Sequence, residues 1–224
     1  MDRSWLWLSR VFKDPVSGLT HLVCAVVALA GAVALWMLSP PEPAVRLALL
    51  AYGASLVLLY VASSTYHLVR AAPRWELFLR KLDHTAIFIF IAGTYTPVCV
   101  VVLTGAWRWG LLTAVWLLAA LGIVFKFAYM RAPRWLSVGI YLSMGWLGAT
   151  GLVPLLQSLS WGAVGWLLGG GLLYTVGALV YATRRPSLFP GVFGFHEVWH
   201  LLVSAASAAH YVFILGYVLP FAGR

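Results

Sequence analysis

Residues 193–218, FGFHEVWHLLVSAASAAHYVFILGYV, decide how the rest of the chain is read. From Leu201 onward the run contains no Asp, Glu, Lys or Arg. Its length suits a helix that crosses a bilayer, which takes about 20 apolar residues. Yet it opens with His196-Glu197-Val198-Trp199-His200. Two histidines four apart lie one above the other on a helix face. Neutral imidazoles so placed can share one metal ion, most commonly zinc. A charged or strongly polar side chain at membrane depth costs roughly 2.5–3.5 kcal/mol. His196 and His200 are therefore expected to have partners elsewhere in the chain.

The remaining 198 residues repeat the apolar pattern. The chain is 62% apolar and 9% charged, against about 25% charged in a soluble domain. That excludes a soluble globular protein. Continuous apolar runs exclude a transmembrane barrel, whose strands alternate apolar and polar residues. The reading is an all-α, seven-transmembrane helix bundle, with segments near 17–38, 44–69, 82–104, 107–130, 133–156, 161–183 and 193–218. Residues 1–16 form a basic, aromatic segment (Trp5, Trp7 and Phe12 with Arg3, Arg10 and Lys13) suited to the membrane interface. It lacks the small-residue cleavage site of a removable signal peptide. Residues 17–218 form the bundle, and 219–224 a short external tail.

The net charge of +9 does not point to nucleic acid, because the basic residues sit in short loops where they orient the protein. Of the 15 Lys and Arg, twelve fall on one side: Arg3, Arg10, Lys13, Arg70, Arg74, Arg80, Lys81, Lys126, Arg131, Arg134, Arg184 and Arg185. Arg46, Arg108 and Arg224 fall on the other. The positive-inside rule predicts a cytoplasmic N-terminus, an outer C-terminus and a multi-pass place in the cell inner (plasma) membrane. Cys24 and Cys99 lie in different segments without CxxC spacing, so no disulfide framework is expected. Pro97 is expected to kink segment three. Glycines 162, 165, 169, 170 and 171 allow close helix approach in segment six.

This topology brings distant polar residues to one depth. Ser63 and His67 share a helix face near the charge-rich end of segment two. Asp83 starts segment three, and His196 and His200 occupy the first two turns of segment seven. Three histidines leave one position of a tetrahedral zinc to water, whose pKa the metal lowers. Asp83 then suits general base and proton donor, and Ser63 suits orientation of the water or donation to an oxyanion. A cavity opening into the inner leaflet suits a lipid amide or ester.

The set Ser63-x3-His67, Asp83 and His196-x3-His200 resembles the haemolysin III branch of the progestin and adiponectin receptor (PAQR) family. The runs Gly93-Thr94-Tyr95-Thr96-Pro97 and Ser17-Gly18-Leu19-Thr20-His21 share that resemblance, which covers nearly the whole chain. It implies seven helices, a cytoplasmic N-terminus and zinc held by His67, His196 and His200. Relatives include alkaline ceramidases, and adiponectin receptors are associated with ceramide hydrolysis. Bacterial members are linked by name to haemolysis and by proposal to membrane homeostasis.

The leading expectation is thus a zinc-dependent, ceramidase-like lipid hydrolase. One alternative is a lipid-sensing receptor with structural zinc. Another is a pore-forming haemolysin, disfavoured because the charged residues cluster at one face. The bland readings are helix–helix hydrogen bonds for the histidines, a salt bridge from Asp83 to Arg80 or Lys81 or a helix N-terminal charge, and back-bonding for Ser63. H-E-x-x-H also matches the zincin pattern with Glu197 as base. Glu197 is instead expected to point away and pair with Arg184 or Arg185. His84 reads as a supporting residue, His21 as a packed histidine able to border the cavity, and His210 as bonded to a neighbouring helix.

Overall fold

Proline sets where the first three helices begin. It lacks the N–H that the first turn leaves unpaired, and its φ already suits a helix. In the structure, a computed structural model describing residues 7–8, 10–189 and 192–222, α1 (Pro15–Leu38), α2 (Pro43–Leu68) and α3 (Pro73–Pro97) all start this way. α4 (Gly105–Ala128) begins at a glycine whose φ of +55° falls in the left-handed region. α5 (Arg134–Trp146) continues through a 3₁₀ turn, Leu147–Gly151, into Leu152–Ser158. α6 (Trp161–Thr183) is capped by Ser160 Oγ, which accepts from the Ala163 N–H at 3.3 Å. α7 (Phe195–Phe213) runs on through a π turn, Ile214–Val218, to Phe221. Seven helices long and apolar enough to cross a membrane result, and among the described residues no extended strand forms. Their outward faces carry exposed Val26, Val27, Leu47 and Val124, side chains that suit lipid.

One expectation about the helices changes. α3 starts at Pro73, nine residues before position 82. Pro73–Lys81 is too charged to read as a membrane segment, but a helix can extend beyond the hydrocarbon without an apolar face. Asp83 therefore lies in the body of α3 and not at its start. The break expected at Pro97 takes the form of a π turn, Val98–Val102. Trp5 and Arg3 of the N-terminal segment, and Arg224 of the charge count, lie outside the described residues.

Close packing relies on missing side chains at a few crossings. A Cβ on Gly53 would meet the Ala32 Cβ at 2.7 Å, and one on Gly93 would strike the Ser55 side chain. The main core gathers Leu49, Tyr52, Phe90, Cys99, Phe213 and Ile214. A smaller core of Phe88, Val115, Ala119 and Met144 joins α3, α4 and α5. The 3₁₀ break in α5 is held by Tyr95, whose hydroxyl accepts from the Gly148 N–H at 2.7 Å and donates to the Gly145 carbonyl.

Polar ties fasten one end of the bundle. The Asp14 N–H donates to the His67 carbonyl at 2.8 Å, and Lys13 pairs with Glu76 at 3.4 Å. Ser17 donates to Glu197 at 3.1 Å, and Lys126 to Ser137 at 2.6 Å. These contacts join the starts of α1, α3, α5 and α7 to the ends of α2 and α4. Lys13, Arg80, Lys81, Lys126 and Arg134 all belong to this end, whereas Arg46 and Arg108 begin helices at the opposite one.

Candidate metal centre and its cavity

At that fastened end the last turn of α2 presents His67 to the first two turns of α7. His196 Nε2 lies 3.4 Å from His67 Nε2 and 3.0 Å from His200 Nε2. All three ligand atoms fall within 4.8 Å of one another. Two nitrogens bound to a tetrahedral zinc at 2.0–2.1 Å lie roughly 3.3 Å apart, so the two shorter separations fit a shared ion.

The tautomer of His67 supports the same reading. Its Nδ1 sits 3.0 Å from Asp14 Oδ2. A carboxylate only accepts, so Nδ1 carries the proton and a neutral ring turns its bare Nε2 lone pair to the other imidazoles. This carboxylate–histidine pair is the usual outer support of a metal-bound imidazole. Burial works to raise the pKa of Asp14, but the hydrogen bond from His67, aided by the charge of Lys13, holds it below the usual value. Asp14 was absent from the sequence-derived set. It sits in a segment that reads as an interfacial anchor, and its partner is 53 residues away, so no local spacing announces the pair. An acid directly before the helix-starting Pro15 was the only available signal.

Ser63 and Asp83 lie beside the triad. Both are buried, at 3% and 8% exposure. Asp83 faces Ser63 and His67. Among the described residues it forms no ion pair with Arg80 or Lys81. Ser63 Oγ meets His21 Nδ1 at 2.8 Å, whereas its neighbour Ser64 bonds back to the Val61 carbonyl. His21 in turn lies against His200, with ring centroids 3.9 Å apart. His210 bonds the Leu167 carbonyl on α6 at 3.1 Å. The backbone carbonyl of His84 accepts from the Tyr141 hydroxyl at 3.1 Å.

Glu197 does not pair with Arg184 or Arg185. Its Oε2 accepts from the Gly194 N–H at 2.8 Å and its Oε1 from Ser17. Position three of α7 is where an acidic side chain can satisfy the free N–H groups at the helix start, and α1 reaches it before any arginine does.

A cavity of about 190 Å³ opens beside these residues. His21, Ser63 and Asp83 line one wall; Ile87, Phe90 and Ile91 continue it along α3. Its far end reaches Tyr174 and His210. The three triad histidines are set back from the lining, which His21, Ser63 and Asp83 join.

A family model described as "Haemolysin-III related" matches residues 9–211. "Hemolysin-3" of Bacillus cereus is 38% identical over 169 residues, covering 75% of this chain and 74% of that protein. "Monocyte to macrophage differentiation factor" of Homo sapiens is 27% identical over 207 residues, covering 89% and 82%. "Adiponectin receptor protein" of Drosophila melanogaster is 32% identical over 160 residues, covering 58% and 33%.

Proposed function

The chain belongs to the haemolysin III branch of the progestin and adiponectin receptor family, and we propose that it is a zinc-dependent hydrolase of a lipid amide or ester. The observation that carries this reading is the convergence of three Nε2 atoms next to a buried carboxylate and hydroxyl that line an apolar cavity. His67, His196 and His200 would hold the zinc, which when bound supplies Lewis acidity at that point. Asp14 fixes the His67 ring. Asp83 accepts a proton from water and returns it to the leaving group. Ser63, oriented by His21, donates to developing negative charge on the scissile carbonyl. The apolar wall receives the acyl chain and keeps water from it. The excess of Lys and Arg at the histidine end turns that end to the cytoplasm of the inner (plasma) membrane, and the activity serves membrane homeostasis.

The test joins metal analysis to lipid mass spectrometry. Wild-type protein should carry stoichiometric zinc, and its membranes should differ from Asp83→Ala membranes in one lipid amide or ester and its products. Full metal content in His200→Ala would reject the centre. Unchanged lipids in the presence of zinc would reject the hydrolase.

A second reading has its own support: the triad is set back from the cavity. Zinc would then brace α2 against α7, and the cavity would sense a lipid. This reading requires Asp83→Ala to bind lipid and fold as the wild type does, with no turnover in either protein.

A further inference from the structure

The cavity has another polar wall that the proposed chemistry leaves unused. Arg80 and His84 from α3, Lys126 from the last turn of α4 and Arg134 from the first turn of α5 line its mouth. Lys126 is only 2% exposed. Its ammonium offers three donors, and among the described residues the one acceptor it reaches is Ser137 Oγ at 2.6 Å. Its nearest ring contact, Phe125, is 5.9 Å away. One terminal guanidinium nitrogen of Arg134 is buried without a partner, while the group lies 5.2 Å from the Tyr181 ring and 5.6 Å from Phe195. His84 Nδ1 is likewise buried and unpartnered.

Among the described residues no carboxylate pairs with Lys126 or Arg134. The ion pairs among them are Lys13–Glu76 and His67–Asp14, both outside the mouth. Asp83, the carboxylate in the cavity wall, feels the charge of Arg80 but faces Ser63 and His67 first, and it forms no ion pair with Arg80. Buried cations are normally paired, because an unmatched charge away from water is costly. Donors converging from three helices suit an anion with several acceptor oxygens. The adjoining wall of Ile87, Ile91, Val138 and Leu142 is apolar, which suits an acyl chain attached to that anion.

We propose that this mouth binds the phosphate of an anionic lipid headgroup while the lipid's chain lies in the cavity. Arg80 precedes Asp83 by one helical turn, so a headgroup held there sets the first bonds of the chain beside Asp83 and Ser63. The inference rests on the cavity as the lipid's berth and names the headgroup class; it does not rest on turnover.

The experiment reads binding alone. Purified zinc-loaded protein in detergent is titrated by native mass spectrometry with dioleoyl phosphatidic acid, with dioleoyl phosphatidylcholine and with inorganic phosphate. Phosphatidic acid should bind about tenfold tighter than phosphatidylcholine. Lys126→Met and, independently, Arg134→Gln should each lose about tenfold for phosphatidic acid and clearly less for phosphatidylcholine, whose phosphodiester carries one charge and fewer free oxygens beside its own choline cation. Lys126→Arg should restore the preference. Arg131→Gln, an exposed basic position at the same end but off the cavity, should leave it intact. Equal affinity for the two lipids, or an equal loss in Arg131→Gln, overturns the proposal. Inorganic phosphate binding as tightly as phosphatidic acid overturns the lipid as its source. A protein without hydrolase activity would give the same binding results, so the two readings fail separately.

Discussion

Two polar clusters share one end of the bundle and are built in opposite ways. Where α1, α2 and α7 meet, side chains answer one another: His67 with Asp14, His21 with Ser63, and Glu197 with Ser17 and the Gly194 N–H. Where α3, α4 and α5 meet, the groups are mainly cationic; buried nitrogens of Arg134 and His84 lack partners there, as His21 Nε2 and His200 Nδ1 do in the first cluster. The first cluster offers three converging imidazole nitrogens, with the His67 ring oriented by Asp14, which suits a cation. The second offers positive charge that the protein does not neutralise, which suits an anion. One apolar cavity lies against both, so a lipid with a polar headgroup can address each with a different part of itself.

The sharpest way to break this contrast is at the metal. His200→Ala removes a ligand from the cation side, and zinc should fall from stoichiometric to background, with any hydrolysis lost; elemental analysis of the purified protein checks it. Asp83→Asn should keep the metal and lower turnover by about 10²–10⁴-fold, as loss of a general base does. Loss of zinc in that variant would make Asp83 a structural support. Asp14→Asn tests the orientation of His67, and zinc affinity should fall about 10–100-fold. A competitive chelator titration reads it, and Asp14→Glu should recover part of the loss. The smallest effect belongs to Glu197. Glu197→Ala removes the acceptor for Gly194 and Ser17 and should cost about 1 kcal/mol. That should appear as a lower melting temperature with zinc content retained, and Glu197→Gln should keep activity, which separates this chain from a zincin.

Particular residues show how far the linear reading reached. His67, His196 and His200 were legible because histidine is out of place in apolar runs, and charge counting sends those three to one end. The same route sent Asp83 and Ser63 to that end, where both line the cavity. Asp14 was not, because it belongs to a charged stretch where one more acid carries no contrast. The start of α3 was missed for a related reason: hydropathy marks where hydrocarbon begins, and the helix begins earlier, at Pro73. Glu197 was matched to the nearest arginines in the chain, whereas the bundle brings Ser17 of α1 against it.

The order of apolar runs and basic loops settled that this is a seven-helix membrane bundle with a polar, basic end. An unbroken apolar run of membrane length has few stable folds other than a helix, whose backbone satisfies its own hydrogen bonds. The tertiary structure decided which polar groups meet. Asp14 on His67, His21 on Ser63 and the unmatched Lys126 and Arg134 depend on how helices rotate and cross, which is set by packing between segments far apart in the chain. For that reason the three imidazoles could be named from their spacing and depth, while the partner that orients one of them and the charged mouth beside them came only with the fold.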